Sequence, residues 1–179
     1  MTKYIAFLRA INVGGHTVRM DYLRSLFEAL RFSNVETFIA SGNVIFDSKS
    51  GNSTLLEQKI ETHLRKTLGY EVRTFVRTTS ELAGVANYEP FSETELTAPG
   101  NTLYVGFLPQ KPDGKAKTRV LALSSATDDF AVHGREVYWL CRTSFSESKV
   151  SGALLEKTLG LAATFRNVNT VRRMAAKYS

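Results

Sequence analysis

Residues 4–15 read YIAFLRAINVGG, an apolar run that breaks into a polar, glycine-containing turn. The run Tyr4–Leu8 predicts a β-strand. From about Met20, apolar residues recur at the i, i+3, i+4, i+7 spacing of a helix with one buried face; they are Leu23, Leu26, Phe27 and Leu30. The glycines allow positive φ angles and close approach of a ligand to the backbone. The chain therefore begins as a strand, a loop that is a candidate binding site, and a helix.

The rest of the first half continues this alternation. Strand-like runs lie at residues 35–40, 43–47 and 71–77. A helix is predicted between the last two, from a capping-box pattern at Thr54–Glu57 to Gly69, because such a box satisfies free helix amides and glycine suits the left-handed end of a helix. Strand, helix, strand, strand, helix, strand is the ferredoxin-like order.

The second half repeats that order without obvious sequence identity. Strands are predicted at 103–108, 130–133, 136–141 and 163–166, and helices at 113–123, from a second capping box at 144–147 to Gly160, and at 170–177. We therefore expect an α+β protein built from two ferredoxin-like (βαββαβ) halves fused in one chain. The first half spans residues 1–86 and ends in a short helix, residues 87–100 form a connecting loop, and residues 101–179 form the second half with a C-terminal helix.

Three strands lack the alternation of apolar and polar residues that marks a sheet with one face in water; they are Tyr4–Leu8, Leu103–Leu108 and Val137–Cys141. We expect both of their faces to be covered. Packing of the two halves against each other would cover them, and so would dimerisation through the open sheet face. The sequence leaves a monomer and a homodimer as alternatives.

Composition favours a globular protein in the cytoplasm. The chain has 179 residues, of which 43% are hydrophobic, and a single cysteine, Cys141. We find no run of about 18 apolar residues that could cross a membrane and no signal segment, so no membrane partner is expected. The net charge is +6, and from Arg135 onward the basic residues exceed the acidic ones by eight to three. This excess favours anionic partners only weakly.

Familiar catalytic and cofactor motifs are missing from the sequence. It contains no Walker A loop, no G-x-G-x-x-G fingerprint, no G-x-S-x-G elbow and no RNA-binding aromatic motif. The three histidines lie far apart, and the adjacent Asp128 and Asp129 should point to opposite faces of a strand. We therefore assign no catalytic residue, cofactor or metal site.

Three polar loops could hold an anion. In residues 9–19, backbone amides could form an anion nest beside Arg9, Asn12, Gly14 and Gly15, although the glycines could also serve the turn alone. The second loop is Ser41-Gly42-Asn43, which also fits an ordinary hairpin turn. We expect it at the opposite end of the sheet from the first loop, so that the two do not form one site.

The third candidate is a polar patch at the start of the terminal helix. It contains Arg166, Asn167 and Asn169, with Lys149 on the preceding predicted helix. Either asparagine could simply cap the terminal helix. The alternative is an anion site, because the amino-terminal end of a helix favours negative charge.

Together, the segments 9–15, 41–46 and 166–171 resemble the domain-of-unknown-function 1697 family in residues, order and spacing. The resemblance implies two ferredoxin-like α+β subdomains and supplies no activity. Two positions depart from the family pattern, which usually has Gly at Ala10 and Trp at Val168. If that Trp closes a pocket in the family, the pocket of this chain is more open. The family's Ser-Lys-Leu segment is Ser148-Lys149-Val150 here.

The leading functional expectation is binding of a small anionic or phosphorylated ligand through these polar loops. One alternative is binding of nucleic acid without sequence specificity by the basic C-terminal surface, including Arg172 and Arg173. The other is a structural or interaction module without a ligand. The sequence does not decide whether the protein is an enzyme.

Overall fold

The computed structural model describes residues 1–12, 14–39, 42–144 and 146–179. The elements are β1 (Thr2–Leu8), α1 (Met20–Glu28), β2 (Ser33–Thr37), β3 (Asn43–Ser48), α2 (Ser53–Leu68), β4 (Thr74–Thr78), α3 (Thr79–Asn87), α4 (Glu93–Thr97), β5 (Thr102–Phe107), α5 (Gly114–Leu121), β6 (Asp128–His133), β7 (Glu136–Cys141), α6 (Gly152–Leu159), β8 (Thr164–Asn167) and α7 (Val168–Tyr178).

The strands form two antiparallel sheets with the same topology. The first has the order β2-β3-β1-β4 and the second the order β6-β7-β5-β8. In both, the first strand of the half lies between the third and the fourth, which is the arrangement of a βαββαβ unit. The prediction of two ferredoxin-like halves is confirmed.

The chain divides into two compact units. One contains Met1–Leu82 together with Tyr178–Ser179, and the other contains Ala83–Lys177. The stretch 87–100, expected to be a loop, includes the short helix α4. Within the described residues, no helix has both the length and the apolar character needed to cross a membrane.

Each sheet packs two helices against one face, α1 and α2 in the first half and α5 and α6 in the second. In the first half, Tyr4, Ala6 and Leu8 of β1 join the core with residues of α1 and α2. The intervening residues Ile5 and Phe7 point to the other face and are also fully buried. All six residues of β7 are buried as well. The non-alternating residues of β1 and β7 are therefore buried on both faces, as their sequence predicts, whereas Tyr104 of β5 is half-buried.

The sequence predicts the ends of α2 and α6 correctly but not their starts. Gly69 and Gly160 end α2 and α6 with φ angles of 84° and 69°, as predicted. Neither predicted capping box starts a helix: the side chain of Asn52 caps α2 and that of Ser151 caps α6. These two predictions are wrong because helix starts depend on single side-chain contacts that several nearby polar residues can make.

Candidate functional site

The β1–α1 loop and the β2–β3 turn lie at the same end of the first sheet. Phe7 of β1 pairs with Asn43 of β3, and the Leu8 amide donates to the Gly42 carbonyl at 2.8 Å. The expectation that the two loops lie at opposite ends is wrong, because β1 and β3 are antiparallel neighbours and the end of one adjoins the start of the other. We call the described residues of 9–19 and 38–43 the loop end.

Gly42 holds the two loops of the loop end together. A Cβ atom at this position would lie 2.9 Å from Cγ2 of Ile11 and 3.1 Å from Cβ of Leu8, and φ is +82°. Both the close approach and the positive φ favour glycine. The glycine of this turn thus has a packing role.

The two asparagines of the loop end also stabilise the fold. Oδ1 of Asn12 accepts a hydrogen bond from the Val18 amide at 2.7 Å, which closes the β1–α1 loop. Asn43 is fully buried, and its Nδ2 donates to the Phe38 carbonyl at 2.9 Å. Two predicted ligand residues are therefore part of the scaffold, a role that sequence reasoning missed. Ser41, predicted beside them, lies outside the described residues.

The remaining predicted residues of the loop end are half-buried or exposed. Arg9 is half-buried, and its amide donates to the Arg73 carbonyl at 2.9 Å. Gly14 and Gly15 are exposed, have φ angles of 68° and 82°, and would have no atom within 4 Å of an added Cβ. Glycine is favoured at these two positions by the positive φ angles and not by close packing. The backbone there is accessible from solvent.

In the second half, Asn167 and Asn169 line a cleft at the start of α7. Oδ1 of Asn167 accepts a hydrogen bond from the Asn169 amide at 2.9 Å, so Asn167 caps the helix. The cleft has a volume of about 100 Å³. We call it the α7 cleft; it is lined by Leu96, Asn101, Thr102, Leu103, Asn167, Val168, Asn169 and Arg172.

The α7 cleft has a positive electrostatic character. Its lining contains one charged side chain, that of Arg172, and no carboxylate. The start of α7 adds the positive end of the helix dipole. The sequence predicts that Arg172 and Arg173 follow the two asparagines on the terminal helix and add to its positive potential. Of the two arginines, Arg172 lines the cleft and Arg173 does not.

Arg166 does not line the α7 cleft. It pairs with Val105 whereas Asn167 pairs with Tyr104, so the two side chains point to opposite faces of the sheet. Nη1 of Arg166 donates to Oγ1 of Thr164 at 2.8 Å and to the Phe165 carbonyl at 2.9 Å. Burial lowers the pKa of Arg166 from its ordinary value to about 10, so the side chain stays charged at neutral pH.

Lys149 lies in the segment that precedes α6, not on a helix as predicted, and it is exposed. Its neighbour Ser148 donates from Oγ to Oδ1 of Asp128 at 2.8 Å. Asp128 starts β6 and pairs with Cys141, which also pairs with Thr102 of the cleft lining. Ser148 is therefore anchored at the same end of the second sheet as the α7 cleft. Lys149 follows it in the chain and does not line the cleft.

Asp128 is a fully buried acceptor. Besides Ser148, it accepts from Nε1 of Trp139 at 2.7 Å and from Oγ1 of Thr127 at 2.8 Å. The adjacent Asp129 points the other way, to Nη2 of Arg142 at 2.7 Å. Among the described residues, no group of three or more potential ligands could hold a metal ion.

Comparison with known proteins identifies the family but no activity. The chain is similar to the conserved bacterial protein SP0830 from Streptococcus pneumoniae, with 22% identity over 98% of this chain and 97% of that one and a TM-score of 0.69. At that identity the likeness shows the fold alone. No functionally curated protein matches the chain. Residues 1–138 match the family model described as Protein of unknown function (DUF1697). That match includes both motifs of the loop end, and the chain belongs to the DUF1697 family.

Proposed function

We propose that this protein binds a small anion in the α7 cleft. The observation that carries the proposal is the convergence of Asn167, Asn169 and Arg172 on one cleft at the start of a helix. The side-chain amides and the guanidinium supply hydrogen-bond donors, and the helix dipole adds to their positive potential. No carboxylate of the lining opposes a negative charge.

The size of the cleft restricts the ligand. Its volume of about 100 Å³ corresponds to roughly three water molecules at about 30 Å³ each. Pockets for whole organic ligands measure about 300–1,000 Å³. The α7 cleft therefore suits an inorganic anion such as phosphate, or the terminal phosphate or carboxylate of a larger molecule.

Calorimetric titration with inorganic phosphate tests this proposal. Arg172→Gln should weaken phosphate binding at least tenfold, because it removes the charged donor of the cleft. Arg173→Gln removes the same charge from the next position of α7, outside the lining, and should change the affinity less than twofold. Equal losses in both variants, or no phosphate binding by the wild type, would reject the cleft as the site.

The loop end is a second location for an anion. It is supported by the two consecutive exposed glycines with positive φ that follow Arg9 in the same loop, since such turns can direct backbone amides at an anion. Arg9→Ala should then abolish binding of the anion and leave the melting temperature of the free protein nearly unchanged. A large drop in that temperature would show Arg9 to be a structural residue.

Nucleic-acid binding is the alternative, supported by the exposed Arg172 and Arg173 on α7. Its affinity for short RNA or DNA should fall with the logarithm of salt concentration, with a slope of about −0.9 per neutralised phosphate for duplex DNA. The double variant Arg172→Glu with Arg173→Glu should weaken it for all sequences alike. If neither small anions nor nucleic acid raise the melting temperature, an interaction module without a ligand is favoured.

A further inference from the structure

A second concave site lies in the first half, apart from the loop end. It is a groove of about 410 Å³ where β2 begins and β3 ends, with the α1–β2 turn and α2 on its sides. Basic residues of its lining are Arg31, Lys49 and Lys59. We call it the basic groove. None of its residues belongs to the family motifs or to the predicted sites.

The charges of the basic groove are not neutralised within it. Its lining contains no Asp or Glu, and across the described residues no ion pair involves Arg31, Lys49 or Lys59. Some basic side chains elsewhere in the first half have acidic partners, such as Arg24 with Glu28 and Lys3 with Asp47. Three uncompensated cations around a concavity concentrate positive potential there.

Lys59 is held in position rather than free in solvent. Its Nζ donates to the Leu30 carbonyl at 3.1 Å and lies 5.1 Å from the centre of the Phe32 ring. The ring is itself stacked on Phe46 with centroids 4.4 Å apart, so the contact rests on the core. A cation fixed by a carbonyl and an aromatic face loses little freedom when an anion arrives.

The basic groove also offers groups for the rest of a ligand. Leu30 and the small exposed part of Phe32 contribute apolar surface, and Ser33 and Ser50 contribute hydroxyls. Its volume falls in the range of sites for organic molecules, about 300–1,000 Å³, and is about four times that of the α7 cleft. A simple inorganic anion would leave much of the groove unfilled.

We propose that the basic groove binds a small organic phosphate, with the phosphate among Arg31, Lys49 and Lys59 and the organic part along Leu30 and Phe32. Guanidinium and ammonium groups recognise phosphate through charge-assisted hydrogen bonds. The proposal does not depend on the α7 cleft, since all lining residues of the groove belong to the first compact unit.

Titration with AMP and ribose 5-phosphate tests the proposal, with adenosine and ribose as ligands lacking the phosphate. Wild-type protein should bind at least one of the phosphates and neither of the neutral compounds. The double variant Arg31→Gln with Lys49→Gln should weaken that binding at least tenfold. Both side chains are exposed and form no ion pair with the residues that the structure describes, so the variant should keep the wild-type melting temperature.

A charge-matched control separates the groove from general attraction. Lys115→Gln with Lys117→Gln removes the same charge from exposed positions of α5 and should change the affinity less than twofold. Equal losses in the two double variants would overturn the proposal, as would no binding of either phosphate at millimolar concentration. If Arg172→Gln abolishes organic phosphate binding and the groove variant does not, the ligand belongs to the α7 cleft and the basic groove is rejected.

Discussion

The two halves share a topology but differ at the end where their first strand stops. In the first half, the Leu8 amide donates to Gly42 at 2.8 Å, and in the second the Leu108 amide donates to Arg135 at 2.9 Å. Residues 9–19 then connect β1 to α1, whereas only residues 108–113 connect β5 to α5. The second half shows that the fold can make this connection with a short segment. The topology therefore does not require the longer loop of the first half.

A second difference lies in the core. Phe46 and Trp139 hold equivalent positions, each paired with a tyrosine on the first strand of its half. Phe46 stacks on Phe32, whereas Trp139 donates from Nε1 to Asp128. Both residues pack against aromatic rings, which for Trp139 are those of Tyr104, Phe130 and Phe165. The second half differs by adding a buried polar network.

The largest effect should come from breaking that network with Asp128→Ala. The substitution leaves Nε1 of Trp139 and Oγ of Ser148 without their acceptor. At about 1–3 kcal/mol for each buried unsatisfied donor, we expect a loss of about 4 kcal/mol in the free energy of unfolding. Urea denaturation measures it.

Asp129→Ala is the matched control on the same strand. It breaks a partly exposed ion pair with Arg142 and should cost less than about 1 kcal/mol. Similar losses for the two variants would contradict the assignment of Asp128 as the centre of the network.

Gly42→Ala should have the next largest effect, and it sharpens the comparison of the two sheet ends. The new Cβ would approach Ile11 and Leu8 within about 3 Å at a positive φ. Overpacking and left-handed strain together should cost about 3 kcal/mol. In the second half, Gly134 has φ +59° but no atom near an added Cβ, so Gly134→Ala should cost only about 1 kcal/mol. Equal costs in denaturation experiments would show that packing between the two loops contributes nothing.

The smallest effect is expected at Ala10, the position of the first motif where the family resemblance implies glycine. Ala10 has a positive φ of 53°, which glycine adopts without strain. Relief of about 1 kcal/mol of strain, partly offset by the greater freedom of glycine in the unfolded chain, should make Ala10→Gly stabilising by about 0.5 kcal/mol. Ala98→Gly is the control. Ala98 has an ordinary φ of −61°, so this substitution should destabilise the protein. A loss at both positions in thermal denaturation would show that φ at Ala10 carries no strain.

The sequence predicts the two repeats of strand and helix because each buried face leaves a periodic apolar pattern. It does not predict where the helices start. Glu57, assigned to a capping box, instead accepts a hydrogen bond from the Val76 amide at 2.9 Å. That contact spans nearly twenty residues, so no local pattern reveals it.

The sequence predicts which loops contain the candidate residues. It does not predict which of their side chains lie together on one surface. Asn12 and Asn43 become part of the scaffold through contacts within their own loops, whereas sheet order brings Gly42 against Leu8. Strand alternation separates Arg166 from Asn167. Both outcomes depend on register, which residue types alone do not fix.

The most direct test of the central claim is to follow backbone amide signals by nuclear magnetic resonance during a titration with inorganic phosphate. If the α7 cleft binds the anion, the amides of Val168 and Asn169 should shift first and saturate together, and Arg172→Gln should abolish these shifts. Signals that move only at residues 9–19, or a spectrum that does not change, would contradict the assignment of the α7 cleft as an anion site.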